Sequence, residues 1–404
     1  MTPSYHGSAY LGPSKGRWIP TDWAAALDAA AGGLLDESHW VDLKQELPRG
    51  RTHNTSLAED LAAFAIDGGL LVIGIEDSNS RAGKVTGVPL GTLADRIDQV
   101  ARERVKPPLV VRSHEVPDPE RPGHGCLFVH VPPSADAPHM VDYVYFGRGD
   151  KANIKLSDEQ VRSVLEERRR SRSSILGDLR AMTDEDPIAE SRQHSHIYLL
   201  ARPDALHDDA LVELIENPSE ALRLVRSSKR YQNVNYDPSL ESLHRSFLCP
   251  DGLAFRTFDS ASNVYELGMI ELVIREDGGL RMICGRGSDA GPSPFGDGRS
   301  RVLIPIVVLG LTFEFVSLAA RISEEFASYQ GTWQLGVQID QLADVRALVS
   351  SNWTQVGAEY GRDVYERTTI ATVEEMTMAA HDVTERLILP LLRGMGVSRQ
   401  YKSN

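Results

Sequence analysis

Cysteine is scarce in this chain. The 404 residues contain three, at positions 126, 249 and 284, too few and too scattered for a disulfide framework or a zinc ribbon. A reducing, cytoplasmic setting is the expectation. Positive charge is in deficit: 43 Lys and Arg face 57 Asp and Glu, a net charge of −14. That argues against coating of nucleic acid by bulk charge and leaves a local basic groove open. Long apolar runs are missing as well. The most apolar stretch, Val302 to Phe313, contains Pro305 and falls short of the ~20 residues that span a bilayer. It is expected to be buried core, with no membrane partner. The opening MTPSYHGSAYLGPSKGRW lacks the apolar run of a secretory signal.

Several signatures are also absent. Gly83-Lys84 has neither the upstream glycine nor the following Ser or Thr of a phosphate-binding loop. No Gly-x-Ser-x-Gly elbow occurs. Gly285-x-Gly287 opens a Gly/Pro stretch running to Gly298 and reads as a mobile loop. The twelve histidines do not cluster, and His194 with His196 reads as a surface pair. Trp333, Trp353, Tyr360 and Tyr365 could stack bases, but aromatics this sparse more often belong to a core.

What remains is ordinary globular sequence, 41% apolar and 25% charged. Its length suggests two or three domains. Residues 1–20 read as a loose lead-in, 21–172 as a first domain, 173–190 as a charged, Ser-rich linker, and 191–404 as a second domain. A helix is expected over Asp22–Ala31, capped by Thr21, with Trp23, Ala26, Leu27 and Ala30 inward. Strands are expected at Trp40–Leu47, Leu70–Ile75, Leu109–Val116, Cys126–Val131 and Tyr143–Arg148, and a helix around Leu93–Ala101. Ser56 with Glu59 reads as a capping box opening a helix over 57–67. Ser157 with Gln160 opens another, with Val161, Val164 and Leu165 inward. In the second half, strands are expected at Ile197–Arg202, Leu253–Phe258, Tyr265–Arg275, Leu280–Cys284 and Trp333–Ile339. Thr372 with Glu375 caps a helix over 373–393. That helix is apolar on more than one side, which fits core or a homodimer contact.

The densest chemistry lies in Glu37-Ser38-His39-Trp40-Val41-Asp42-Leu43-Lys44. Asp42 and Lys44 are two apart on a strand and point to one face. Asp77 follows the apolar strand at Leu70–Ile75. Crowded carboxylates repel unless a cation sits between them, and hard oxygen donors suit Mg²⁺ or Mn²⁺. Such an ion lowers the pKa of bound water and polarises phosphate. A lysine offsets charge developing in the transition state. The same spacing also fits a solvated strand, with Lys44 on Asp42 or Glu46 for ~0–1 kcal/mol and Asp77 as a turn residue. His39 is a weaker candidate for proton transfer.

Glu37-x4-Asp42-x-Lys44, the helix end Ala62-Ala63-Phe64-Ala65, and Asp67-Gly68-Gly69-Leu70-Leu71-Val72-Ile73-Gly74-Ile75-Glu76-Asp77 resemble the Schlafen AlbA-2 family. Val129-His130-Val131-Pro132-Pro133-Ser134, Pro138 and Tyr145-Phe146-Gly147-Arg148-Gly149-Asp150 extend the resemblance over roughly 34–170. It implies an α+β fold, a mixed sheet with flanking helices, followed here by a second α+β domain of unassigned fold. It implies a nucleic-acid partner, RNA favoured. In nuclease members it implies a metal-dependent endoribonuclease, a hydrolase of structured RNA such as tRNA. Glu37, Asp42 and Asp77 would then hold Mg or Mn, with Lys44 beside them. Asp42 stands where Glu is usual, Leu43 where Phe is usual, and Ile66-Asp67 where Asn-Thr or Asn-Ser is common. A non-enzymatic regulator using the same groove, or a sensor whose second domain binds a ligand, remains open. Phosphate contacts would fall to Arg49, Arg51, Arg102, Arg104, Lys106, Arg148, Lys151, Arg168 and Arg169, in part through the run Arg168, Arg169, Arg170 and Arg172.

Overall fold

The computed structural model describes residues 8–173, 175–206, 210–260, 264–292, 299–327, 329–349 and 355–402. The chain divides into two units. The first runs to Arg170, with the short segments 205–207 and 327–331, and the second holds the rest.

The first unit opens with a hairpin of β1 (Ala9–Tyr10) and β2 (Arg17–Trp18), then α1 (Trp23–Ala31). Asp22, not Thr21, caps α1 by accepting from the Ala25 N–H at 2.8 Å. Ala26, Ala29 and Ala30 face inward while Leu27 is exposed, so the buried face is narrower than the sequence suggests. Next come β3 (Val41–Lys44), α2 (Arg51–Phe64), β4 (Gly69–Ile73), β5 (Ile75–Asp77), β6 (Ala82–Val85), β7 (Val88–Pro89) and α3 (Leu93–Glu103). They are followed by β8 (Arg112–Pro117), β9 (His124–Val131), β10 (Met140–Val141), β11 (Val144–Arg148), β12 (Asn153–Lys155) and α4 (Asp158–Ser173).

The main sheet runs β3-β4-β9-β7, with β8 also on β9. β3 is parallel to β4, and β4 antiparallel to β9. β4 is buried on both faces: Leu71 and Ile73 join the core under α2 and α3, while Leu70 and Val72 join the core under α1. Val41 and Leu43 belong to that second core. Strand alternation therefore turns Asp42 and Lys44 to the α2 side. Gly69 starts β4 in contact with α2, where any Cβ would lie 2.1 Å from Phe64 Cδ1.

α2 begins at Arg51, six residues before the expected start. Gly50 is its N-cap at φ 138°, with no side-chain cap. The Ser56/Glu59 pair thus sits inside the helix, not at its end. Ser157 and Gln160 do form a capping box, at 2.9 and 3.3 Å, but Leu165 is exposed rather than inward.

The second unit opens with α5 (Ile175–Ala181), inside the expected linker, and β13 (Ile197–Pro203), α6 (Val212–Ile215), α7 (Pro218–Arg226), β14 (Arg245–Cys249), β15 (Gly252–Arg256), β16 (Ile270–Arg275) and β17 (Leu280–Cys284) follow. Then come β18 (Ser288–Pro292), β19 (Arg299–Leu303), α8 (Pro305–Ile322), β20 (Thr332–Ile339), β21 (Arg346–Leu348), β22 (Val356–Glu359), β23 (Tyr365–Thr372), α9 (Val373–Met378) and α10 (Ala380–Gly394). A seven-stranded antiparallel sheet has the order β14-β15-β16-β17-β13-β20-β23. β18-β19-β21-β22 form a second sheet, so Ser288–Pro292 is strand where a loop was expected; 293–298 lie outside the described residues.

α8 lies against β13 and α10. Its apolar helix continues to Ala327 through a π-turn at Ser323–Ala327. By length and composition it could cross a membrane, and 83% of its apolar window is buried. Leu387, Ile388, Leu391 and Leu392 of α10 are buried within the unit, so this face is core rather than a free dimer contact. Trp333 is core too, its indole N–H bonded to Ser323 Oγ at 3.0 Å; Trp353 lies outside the described residues.

Candidate nucleic-acid interface

Asp42, Lys44 and the α2 face they point to build a closed ring of polar groups. Arg148 Nη2 donates to Asp42 Oδ1 at 3.1 Å, and Arg148 Nη1 to Asn153 Oδ1 at 3.1 Å. Asn153 Nδ2 donates to Asp60 Oδ1 at 2.6 Å. Asp60 Oδ2 faces Lys44 Nζ at 3.4 Å, and Lys44 Nζ faces Asp42 Oδ2 at 2.8 Å, closing the circuit. Two carboxylates, two cations and one amide sum to zero charge. The Arg148 guanidinium also lies 4.6 Å from the Phe64 ring centroid. Burial would lower the Lys44 pKa, but Asp60 and Asp42 outweigh it and raise it, keeping the ammonium charged. Burial pushes the Asp60 carboxyl up in spite of Lys44 and Asn153.

The other two expected ligands stand apart from this ring. Glu37 is half-buried, and its Oε1 accepts from the Leu43 N–H at 3.3 Å. Its pKa is raised by burial, with Asp42 and Asp77 adding to the effect. The three carboxylates are thus neighbours in the electrostatic sense. Asp77, however, is exposed at the end of β5 and accepts from the Ser80 N–H at 2.6 Å. Among the described residues no three His, Cys, Asp or Glu are arranged to hold a metal ion. The Mg or Mn set Glu37, Asp42 and Asp77 does not fit as a ligand cage, because Asp42 already has a cation on each oxygen. His39 is better placed than expected. Its Nδ1 lies 3.0 Å from the Gly149 carbonyl and its Nε2 3.0 Å from Asp67 Oδ2. Two acceptors suit the doubly protonated ring, and the Asp67 bond raises its pKa.

The expected phosphate contacts separate into two groups. Arg148 is buried in the ring and cannot reach a ligand. Arg102 pairs with Asp98 on its own helix, and Arg168 donates to the Ser134 carbonyl. The side chains of 170–173 lie outside the described residues. Arg49, Arg51, Lys106, Lys151 and Arg169 are exposed and have no ion pair among the described residues. Arg49 and Arg51 flank the uncapped start of α2, which Arg96 of α3 also reaches, while Arg104, just past α3, contacts the next turn. Arg96 donates to Asn54 Oδ1 at 3.0 and 2.6 Å and to the carbonyls of Leu47 and Pro48 at 2.9 and 2.6 Å. Arg104 donates to Thr55 Oγ1 at 3.1 Å. Burial lowers the Arg96 pKa, and the like charge of Arg49 adds to that. Arg49 and Arg96 line a cavity of about 300 Å³ together with Glu46 and Leu93, while Arg51 opens α2 and Arg104 contacts its second turn at Thr55.

Residues 37–157 match the family model described as Schlafen, AlbA_2. The N-terminal part of the chain is a Schlafen AlbA_2 domain. The match points to a nucleic-acid-related role. No curated protein matches the chain.

Sequence reasoning missed Asp60, Asp67 and Asn153 in the AlbA_2 domain. Asp60 carried a signal: it is a lone charge among Leu57, Ala58, Leu61 and Phe64 on the buried face of α2. It also misread His196, which is buried, not on the surface. His196 Nδ1 lies 2.6 Å from Asp186 Oδ2, and Nε2 lies 3.1 Å from Glu266 Oε1. Tyr198 donates to Asp186 Oδ2 at 2.8 Å, and Arg192 pairs with Asp340. The alternation His196, Tyr198, Leu200 across the start of β13 was the available clue.

Proposed function

We propose that the AlbA_2 domain binds nucleic acid, with RNA the expected partner, through the basic patch at the start of α2 and without cutting the strand. The observation that supports this reading is that Arg49, Arg51, Arg96 and Arg104 flank or contact the first two turns of α2, whose N-cap lacks a side-chain bond, in a chain whose net charge is −14. A phosphate there meets two unpaired guanidiniums and the open N–H groups of a helix start. The neutral Asp42–Lys44–Asp60–Asn153–Arg148 ring ties β3, α2, β11 and β12 together. Fluorescence anisotropy on the full chain tests it, with single-stranded RNA, duplex RNA and duplex DNA between about 50 and 200 mM salt. Binding should fall with salt, and Arg49→Ala with Arg51→Ala should weaken it about tenfold and flatten the salt slope. Binding that ignores both salt and these substitutions removes the reading.

A second reading is the Mg- or Mn-dependent endoribonuclease that uses Glu37, Asp42, Asp77 and Lys44. Its support is the raised Glu37 pKa, to which Asp42 and Asp77 both contribute. It requires Lys44 to release Asp42. Incubation with tRNA and Mn²⁺ decides it. Cleavage abolished by Asp77→Ala, a substitution at an exposed strand end, sustains this reading, and intact RNA discards it.

A further inference from the structure

The sheet of the second unit carries a cavity of about 730 Å³ over β20 and β23, within the size range of small-molecule sites. Its floor is Gln338, between Tyr198 on β13 and Glu366 on β23. Gln338 is 3% exposed, and its Oε1 has no hydrogen-bond partner. An unmade buried acceptor is costly, so few persist in native proteins without a reason.

The rim is mixed in charge but unevenly spent. Arg180 is held by Glu366 through bonds of 2.8 and 2.7 Å. Arg192 is held by Asp340 and Tyr198. The Asp363 Oδ1 accepts from the Ala343 N–H at 3.3 Å. Arg362 is exposed and has no ion pair among the described residues. Beside it stands the half-buried ring of Tyr360, whose hydroxyl feels the Arg362 charge.

Each open group specifies part of a ligand. The Gln338 carboxamide lines the cavity with its Oε1 turned away from solvent, and the polar edge it leaves to the cavity can hydrogen-bond a nucleobase edge. A phenol ring offers a stacking face. A guanidinium without a carboxylate takes a phosphate in forked geometry. We infer that this cavity binds a nucleoside monophosphate, with its base edge on Gln338 and its phosphate on Arg362. The inference does not rest on the nucleic-acid reading of the AlbA_2 domain. The nucleotide arrives either free or as the phosphorylated end of a strand.

Isothermal titration of the full chain tests it. The arms are the four ribonucleoside monophosphates, the matching nucleosides, inorganic phosphate, and a 5′-phosphorylated trinucleotide. At least one monophosphate should bind about tenfold tighter than its nucleoside or phosphate alone. Preference for the trinucleotide assigns the occupant to a strand end. Arg362→Ala should cost about tenfold on the monophosphate and nothing on the nucleoside. Gln338→Leu should erase the preference among bases while leaving the melting temperature equal or higher, because the unmade acceptor is gone. Arg49→Ala with Arg51→Ala should leave all arms unchanged, which separates this site from the basic patch. No heat from any monophosphate or the trinucleotide at millimolar concentration, or binding indifferent to Arg362→Ala, overturns the inference.

Discussion

The Asp42 carboxylate is 7% exposed, with Arg148 on one oxygen and Lys44 on the other, and the Arg148 side chain is 2% exposed. Removing one partner of a buried pair strands the other charge and costs about 3–5 kcal/mol. Asp42→Ala should therefore lower the unfolding free energy measured in urea by that amount, and Asp42→Leu combined with Arg148→Met should recover much of the loss. A carboxylate crowded by other acids at a metal site would behave oppositely, since its removal relieves repulsion. His196 gives a pH signature. Burial favours its neutral form, but Asp186 and Glu266 outweigh burial and raise its pKa above the ordinary 6.5. The stability it contributes is full below 6.5 and is lost as pH rises through the raised value. Burial favours protonated Asp186 and Glu266, but their bonds to His196 hold both pKa values below 3.8 and 4.5. Their contribution is full above those values and is lost as pH falls through the lowered ones. Thermal melts from about pH 5 to 8 should decline on the alkaline side, and His196→Asn should flatten that decline.

Elements here start where tertiary contacts hold them as often as where local signals do. Thr372 accepts from the Glu375 N–H at 3.1 Å while the Thr372 N–H donates to Glu375 Oε2 at 3.0 Å, the capping box expected from the sequence. Thr372→Ala should cost about 1 kcal/mol in urea unfolding. Ser56 has the same sequence signature but is exposed inside α2, so Ser56→Ala should stay within about 0.5 kcal/mol of the parent. The start of α2 is set instead by Gly50 and by Arg96, whose bonds to Asn54, Leu47 and Pro48 tie the first turn to the preceding loop. The expected linker met a related fate. Ile175, Leu179 and Met182 pack on Tyr198 and Ile283, so a Ser- and Arg-rich neighbourhood conceals an ordered helix.

Across the whole molecule, net charge and local charge point in different directions. A chain at −14 repels a phosphate backbone at long range, so binding at the α2 patch relies on short-range contacts and weakens as salt rises. The alternating runs, the glycine boundaries and two of three capping boxes placed most of the strands and helices they named to within a few residues, because those signals act between near neighbours in the chain. The shared face of Asp42 and Lys44 was legible for the same reason, the two-residue period of a strand. What the carboxylates do was not. Arg148 reaches Asp42 across 106 positions, and Asn153 reaches Asp60 across 93. Only the folded chain brings those partners together and removes the water that would screen them. A side chain's chemical type is written locally, whereas its charge state, its free lone pairs and its access to a ligand depend on counter-charges supplied from far along the sequence.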